Sequence, residues 1–162
     1  MSTQTYFNIT ELFYHACKAY PDRFAIIEEN NSITFSQFEQ EIKNTIAYLQ
    51  KKGIKKGDRI LVFVGMGIDL YRIVLAIFSI GAVAVFVDEW VNIKRLSMCC
   101  KIAKCKAIIA PFTYRVAGLF ITEIRKIPVF LSHKKQLQTA QINLPSTAVT
   151  DSALITFTTG ST

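Results

Sequence analysis

The sequence predicts a doubly wound α/β fold, in which helices cover both faces of a mostly parallel sheet, preceded by a short β-hairpin. Stretches with helical periodicity alternate with short apolar runs along most of the chain, which is typical of βαβ units. The apolar runs carry few polar residues on either face, as expected of parallel strands buried on both sides. A chain of 162 residues, 51% of them apolar, is long enough to bury one core.

Two helices near the N-terminus are marked by capping patterns. Asn8 can cap the first helix with Glu11 at its third position, and Ser36 and Glu39 form the corresponding pattern for the second. The expected stops are Pro21 and Gly53. The predicted apolar faces are Ile9, Leu12, Phe13 and Ala16 in the first helix, and Phe38, Ile42, Ile46 and Leu49 in the second.

Between these helices the sequence predicts a hairpin. Residues 24–28 and 32–35 are rich in β-formers and flank the pair Asn30 and Asn31. Because asparagine tolerates positive φ, the turn is expected at this pair.

The rest of the chain alternates regularly. Strands are predicted at 59–64, 82–87, 107–110, 129–131 and 153–157, and helices at 68–80, 93–103 and 114–126. The uncharged run 73–87 is shorter than the roughly twenty residues that a membrane-spanning helix needs. Gly81 divides this run into a helical and a β-rich half, so we predict a buried helix followed by a buried strand and no transmembrane segment.

Charge and cysteine content narrow the function classes. The net charge of +7 favours anionic ligands, but the lysines at 51, 52, 55 and 56 cluster at a helix end, where solvated cations are favourable. No nucleic-acid-binding module is recognisable. The four cysteines form no CxxC pair, and no histidine lies near the group of three at 99, 100 and 105, so buried reduced thiols are expected rather than zinc. The first residues lack signal-peptide features, and we expect a cytoplasmic protein.

The residues expected to bind a ligand lie at the C-terminal end of the sequence. The strand 153–157 is followed by Thr158, Thr159, Gly160, Ser161 and Thr162. Hydroxyl donors and a glycine that lets backbone N–H groups converge on an anion form a phosphate cradle. In parallel sheets ligands gather beyond the carboxyl ends of strands, although a Ser/Thr-rich terminus without further context is more often a frayed tail.

Two other glycine patterns are weaker. Gly65 and Gly67 follow a strand and open a helix, but Leu70 stands where a dinucleotide fingerprint has its third glycine. Residues 158–162 also lack the spacing and the Gly-Lys pair of a Walker A loop. A tight structural turn is therefore the preferred interpretation of Gly65 and Gly67.

Several motifs in order resemble the N-terminal part of the acyl-adenylate-forming superfamily, which includes acyl-CoA synthetases, luciferases and peptide-synthetase adenylation domains. They extend over nearly the whole chain, so the resemblance implies one unit, residues 1–162, that forms the N-terminal part of an AMP-binding domain and ends within its phosphate loop. The motifs are Pro21-Asp22-Arg23, Ile33-Thr34-Phe35-Ser36, Gly57-Asp58-Arg59-Ile60, Gly81-Ala82, Val87-Asp88, Lys94-Arg95-Leu96 and Phe157-Thr158-Thr159-Gly160-Ser161-Thr162.

The resemblance implies a ligase that activates a carboxylate with ATP and then passes the acyl group to a thiol. Thr158, Thr159, Gly160, Ser161 and Thr162 would bind the ATP phosphates. ATP and Mg²⁺ would serve the whole enzyme, with coenzyme A or a carrier-protein thiol as acceptor. The family's adenine motif, acidic magnesium ligand, hinge and catalytic lysine lie after Thr162, so no catalytic or metal-binding residue is expected here and the fragment by itself should be inactive.

Departures from the family pattern bear on the substrate. Thr159 replaces a more usual serine, and Phe86 and Glu89 stand where prolines are common. The stretch 87–96 with Cys99, and Thr113-Tyr114-Arg115 downstream, is similar to synthetases of long-chain fatty acids and olefin β-lactones, which favours medium- to long-chain fatty acids. The acid, the thiol acceptor, the native oligomer and the origin of the truncation stay open.

Two alternatives and three side candidates remain open. The chain could be a non-catalytic scaffold made of half the fold, which would self-associate through an unfilled edge or face, or a standalone flavodoxin-like nucleotide binder. His133 as a catalytic base competes with a solvated loop, and Trp90 as a pocket residue competes with packing on the sheet. Tyr114 and Arg115 at an anion compete with a surface helix turn.

Overall fold

A computed structural model describes residues 8–87, 92–135, 137 and 142–157, and it confirms the predicted fold class. Predictions on Asp88, Glu89, Trp90 and residues 158–162 lie outside the described residues. The helices are α1 (Ile9–Ala19), α2 (Phe35–Lys51), α3 (Ile68–Ser79), α4 (Ile93–Ala103), α5 (Phe112–Gly118) and α6 (Thr122–Arg125). The strands are β1 (Phe24–Glu28), β2 (Asn31–Thr34), β3 (Arg59–Val62), β4 (Val83–Val87), β5 (Ala107–Ala110), β6 (Val129–Ser132) and β7 (Leu154–Phe157).

Strands β3 to β7 form one parallel sheet with the order β6-β5-β3-β4-β7. The chain moves outward from β3 to β4, crosses back to β5 and β6, and finally returns to β7 beside β4. Strands β3 and β5 are therefore the neighbours at which the direction reverses. This is the topological switch point, where open α/β sheets form a crevice.

Alternate side chains of the central strands divide the core into two layers. Ile60 and Val62 pack with α2 and α3 on one face of the sheet, which we call the α2–α3 layer. Leu61 packs on the other face with residues of α4 and α6, which we call the α4–α6 layer. Because both faces are covered, the four residues of β5 are all buried, as predicted for a parallel strand.

Both N-terminal helices begin with a side-chain cap, as predicted, but the capping residues of α2 differ from the predicted ones. Asn8 caps α1 by accepting a hydrogen bond from Thr10 N at 3.0 Å. The capping box of α2 uses Thr34 and Gln37, so the predicted pair Ser36 and Glu39 is wrong by two residues. The predicted apolar face of α2 is confirmed, since all four of its members are buried. In α1, by contrast, Ile9 and Leu12 are exposed.

The hairpin turn differs by one residue from the prediction. Glu28 pairs with Asn31, which leaves Glu29 and Asn30 as the turn. Within the described residues only Lys104 among non-glycines has a positive φ, so neither asparagine adopts the conformation on which the prediction depended. This turn closes without the left-handed backbone that favours asparagine.

The single helix predicted over 114–126 is wrong, because the segment forms α5 and α6 with a turn between them. Gly118 ends α5 and packs against α6. A Cβ atom at Gly118 would lie 2.8 Å from Ile124 Cγ2. The break lets α6 turn back and place Ile124 in the α4–α6 core. Among the described residues, no helix has both the length and the apolar character required to cross a membrane.

Candidate functional site at the carboxyl edge of the sheet

The predicted phosphate-binding residues Thr158 to Thr162 lie outside the described residues, but the strand that precedes them is described. β7 pairs in parallel with β4, from Ala84 opposite Leu154 to Val87 opposite Phe157. Phe157, the last residue before the predicted loop, is therefore level with the last residue of β4. Both strands end at the carboxyl edge of the sheet, where ligands of parallel sheets bind.

β7 is held by one face and by the segment that precedes it. Ile155 and Phe157 pack onto the α4–α6 layer, whereas Leu154 is 49% exposed on the other face. Before the strand, Lys56 Nζ lies 2.8 Å from Asp151 Oδ2 and donates to Ser146 O, also at 2.8 Å. The Ala148 amide and Lys56 together lower the pKa of Asp151 below its usual value. Lys56 is thus an anchor for the approach to β7 rather than only a solvated lysine.

The Gly-Asp-Arg turn has a structural role at the opposite, amino edge of the sheet. Asp58 Oδ2 accepts from Lys55 N at 2.8 Å, and its carbonyl accepts from Val83 N at 2.9 Å. Gly57 N donates to Gly81 O at 2.8 Å. Arg59 Nη1 donates to Ala103 O at 2.9 Å, satisfying a carbonyl at the end of α4. The motif therefore joins β3, β4 and α4 far from the carboxyl edge.

A second feature, missed by the sequence analysis, is an open cleft of about 320 Å³ at the switch point. Its wall includes the turn from Val64 to Asp69 after β3, Pro111 after β5, and His133 and Lys135 after β6. Glu28 from the hairpin projects into the same region, where its Oε1 accepts from Ile68 N at 2.6 Å. This carboxylate caps the N-terminus of α3.

The capping carboxylate decides the interpretation of the glycine pair Gly65 and Gly67. Gly67 has φ of 149°, and a Cβ atom there would lie 2.6 Å from Glu28 Oε1. The glycine thus admits a side-chain carboxylate to the position at a helix N-terminus that a dinucleotide phosphate would occupy. This supports the structural turn and argues against a dinucleotide site.

Beside the cleft lies a buried arginine. Arg72 is 1% exposed and donates to Thr45 Oγ1 at 2.6 Å and to Asp69 Oδ1 at 2.8 Å. It also donates to the carbonyl oxygen of His133. Its Nε lies 3.9 Å from Glu41 Oε2. One guanidinium therefore connects α2, α3 and the end of β6.

His133 takes part in this network through its backbone. The following residues, Lys134 and Lys135, are exposed, but His133 itself is half-buried. Its Nδ1 is buried and has no hydrogen-bond partner in the described part of the chain. No described acid or nucleophile is hydrogen-bonded to the ring, so the structure gives no geometric support for His133 as a catalytic base.

The cysteines are free and buried, as the sequence predicts. Burial raises the pKa of Cys17 to about 11, that of Cys100 to about 12 and that of Cys105 to about 11. These side chains are protonated thiols at neutral pH and are poor nucleophiles. They act as core residues in the described structure.

Comparison with known proteins identifies the family. The family model described as AMP-binding enzyme matches residues 13–162. Over 160 residues the chain is 25% identical to the L-proline--[L-prolyl-carrier protein] ligase of Pseudomonas fluorescens, covering 94% of this chain and 32% of that protein. Over 81 residues it is 33% identical to a medium/long-chain-fatty-acid--CoA/3-oxocholest-4-en-26-oate--CoA ligase of Mycolicibacterium smegmatis, covering 50% of this chain and 15% of that protein.

The fold comparison agrees with the sequence comparison. The N-terminal subdomain of Klebsiella oxytoca NpsA in complex with 3-hydroxybenzoyl-AMSN superimposes with a TM-score of 0.80 at 24% identity, covering 99% of this chain and 41% of that chain. At this identity the likeness shows the shared fold. The chain spans about a third of the length of the first of these relatives. Given a family match over residues 13–162, the chain belongs to the AMP-binding enzyme family, and it shares the fold of the NpsA N-terminal subdomain.

Proposed function

We propose that this chain is the N-terminal part of an ATP-dependent ligase that activates medium- to long-chain fatty acids. The observation that carries the proposal is the family match over residues 13–162. The parallel pairing of β7 with β4 gives it physical support, because the strand before the Thr/Ser/Gly segment ends at the ligand-binding edge of the sheet.

The reaction consists of an adenylyl transfer followed by an acyl transfer. A carboxylate oxygen attacks the α-phosphorus of ATP, the bond to the bridging oxygen breaks, and pyrophosphate leaves with its electron pair. A thiolate of coenzyme A or of a carrier protein then attacks the acyl carbon and expels AMP. In the proposal, the hydroxyl groups and backbone N–H groups of Thr158 to Thr162 stabilise negative charge on the departing pyrophosphate.

The remaining machinery is assigned to residues that follow Thr162 in the whole protein. These include the acidic Mg²⁺ ligand, which follows the Thr/Ser/Gly segment in the family that this sequence resembles. The proposal therefore assigns the isolated 162-residue chain no ligase activity. A cytoplasmic location stays a prediction.

The substrate class is the finer part of the proposal. The stretch 87–96 resembles the long-chain fatty acid branch, and the relative from M. smegmatis carries medium/long-chain fatty acid in its name. The relative from P. fluorescens, which matches more of the chain, acts on L-proline by its name. An amino acid substrate is therefore the competing outcome.

ATP–pyrophosphate exchange by the full-length protein tests both the ligase activity and the substrate class. Octanoate, dodecanoate and palmitate are compared with L-proline and benzoate. We expect exchange with the fatty acids and loss of about 10²–10³-fold in Thr159→Ala if its hydroxyl acts on the transition state. Thr150→Ala is the matched control, because Thr150 is exposed before β7. Exchange with L-proline alone would refute the substrate class, and no exchange with any acid would refute the ligase.

The second candidate, a non-catalytic half-fold that self-associates, is favoured by one observation. An apolar groove of about 340 Å³ lies beside β7, with Ile9, Phe78 and Leu154 in its wall. Sedimentation of the 162-residue chain over a wide concentration range tests this candidate. A monomer at every concentration would contradict it.

A further inference from the structure

The positive charge of this protein is concentrated in one segment. Residues 92–135 contain ten lysine and arginine residues and a single acidic residue, Glu123. Their net charge is +9 in a chain whose total is +7, so the remainder of the chain is slightly acidic. Asymmetry on this scale indicates a surface for an anionic partner.

Helices α4 and α6 of this segment form the α4–α6 layer, whereas Lys135, after β6, pairs with Glu41 of α2. Leu96, Cys100 and Ala103 of α4 and Ile124 of α6 face the sheet and are buried in the same cluster. Residues on the other side of α4 point away from the sheet and alternate between basic and apolar side chains. Those that are exposed are Ile93, Lys94, Arg95, Met98, Lys101 and Ile102.

The same outer side carries large apolar groups on and after α5. Phe112 is 68% exposed and Phe120 is 87% exposed. The guanidinium carbon of Arg115 lies 5.6 Å from the centroid of the Phe112 ring, so a cation and an aromatic ring are presented together. Met98 on α4 is 62% exposed. Large exposed apolar side chains are therefore found on or next to the helices that carry the basic residues.

Ion pairs between described residues leave several basic side chains of this surface unpaired. The acidic residue of the segment, Glu123, pairs with Lys126 at 2.8 Å. Within the described part of the chain, no ion pair is formed by Lys94, Arg95, Lys101 or Lys104. Their positive potential is therefore available to a partner.

We propose that the outer side of α4, α5 and the turn after α5 binds the surface of an anionic lipid bilayer. Lysine and arginine side chains contact lipid phosphate and carboxylate groups, while Met98, Phe112 and Phe120 enter the boundary between headgroups and acyl chains. The combination favours a bilayer over a soluble polyanion, because a soluble polyanion would use the charges and leave the apolar side chains in water. This binding is peripheral and does not depend on the proposed ligase activity.

Flotation of the full-length protein with vesicles tests the proposal. One vesicle preparation is phosphatidylcholine with 30 mol% phosphatidylserine (about one lipid in three, a PS-rich surface), and the other is phosphatidylcholine alone. We expect binding to the anionic vesicles that weakens as salt is raised, and much weaker binding to neutral ones. Because each lysine near such a surface contributes roughly fivefold to partitioning, Lys94→Gln with Lys101→Gln should weaken binding by roughly 25-fold.

Two further variants give the test its specificity. Lys51→Gln with Lys55→Gln removes the same charge from exposed lysines near the end of α2, on the opposite layer, and should bind like the unaltered protein. Met98→Ser with Phe120→Ser keeps every charge and should still weaken binding to anionic vesicles. Equal losses in both lysine pairs, or no effect of the apolar pair, would overturn the proposal.

Failure to bind anionic vesicles at low salt would also overturn it. If, in addition, an acidic carrier protein bound to the unaltered protein but not to the Lys94/Lys101 variant, the surface would belong to a protein partner. Protection of Lys94 and Lys101 from acetylation in vesicle-free protein would show that another part of the protein covers this face. Since vesicle binding and pyrophosphate exchange are separate measurements, failure of one is distinguishable from failure of the other.

Discussion

Replacement of Arg72 by methionine is expected to lower the free energy of unfolding by about 3 kcal/mol, because it removes the charge that connects α2, α3 and β6. Removing one partner of a buried ion pair typically costs about 3–5 kcal/mol. Two observations place the expected loss for Arg72 at the lower end of this range. Asp69 has a side chain that is 39% exposed, so it can be rehydrated. The Thr45 hydroxyl keeps its own hydrogen bond to Glu41 O at 2.8 Å.

The assay is urea unfolding of the 162-residue chain followed by circular dichroism. With a slope of about 2 kcal/mol per molar urea, the midpoint should fall by about 1.5 M. The urea midpoint of Arg72→Lys should lie between those of the unaltered protein and Arg72→Met, because an ammonium group cannot bind three partners in the guanidinium geometry. Lys43→Met is the control: Lys43 forms a surface pair with Glu39, and its loss should change stability by less than about 1 kcal/mol.

A double-mutant cycle with Asp69→Asn separates this pair from the rest of the network. We expect a coupling free energy of about 1 kcal/mol or more between Arg72 and Asp69, since they are in direct contact. A loss below about 1 kcal/mol in Arg72→Met would refute the reasoning, because it would mean that the desolvation cost of the arginine already cancels its attractions.

Two other predictions concern packing and charge. Gly118→Ala should destabilise the protein by about 1–3 kcal/mol, because the new Cβ would lie 2.8 Å from Ile124 Cγ2. Gly65→Ala is the control, because nothing lies within 4 Å of a Cβ atom there. Equal shifts of the thermal unfolding midpoint in the two variants would contradict the argument. The pKa of Asp151 is lowered in the folded state, so its pairing stabilises the fold above the ordinary carboxyl pKa and this contribution is lost as pH falls through the lowered value. Lys56→Met should therefore be destabilising at pH 7 and show a shrinking difference below about pH 4; a difference that is constant from pH 7 to pH 2 would contradict the ion pair.

Apolar patterning was enough to locate most of the fold. The bounds of α4 and β5, Ile93–Ala103 and Ala107–Ala110, agree with the prediction. Buried and exposed positions alternate clearly along α4, and β5 is buried throughout. The errors arose where tertiary contacts decide. The break after α5 depends on the contact between Gly118 and Ile124, which no local pattern contains. The start of α2 depends on the pairing of Thr34 with Phe24 in the hairpin.

The candidate site was predictable only in part. The strand that leads to Thr158 was located to within one residue, but the role of residues 158–162 stays a prediction. Arg72 and Glu28 were missed, since their partners come from distant elements. One signal was present: Arg72 borders a run of fifteen uncharged residues. A charge on the face of an apolar helix has to be paired when that face is buried.

The amino edge of the sheet contributes contacts that hold the fold together, and the carboxyl edge is where we propose that the ligand binds. At the amino edge, the Gly-Asp-Arg turn connects β3, β4 and α4, and Lys56 in the same turn holds Asp151 before β7. At the carboxyl edge, β4 and β7 end side by side. Among the described strands, β7 lies at the end of the sheet and pairs with β4 alone. The Lys56 anchor therefore restricts the direction from which the chain enters β7. The turn that contains the Gly-Asp-Arg motif therefore helps to position β7, the strand that leads to the Thr/Ser/Gly segment.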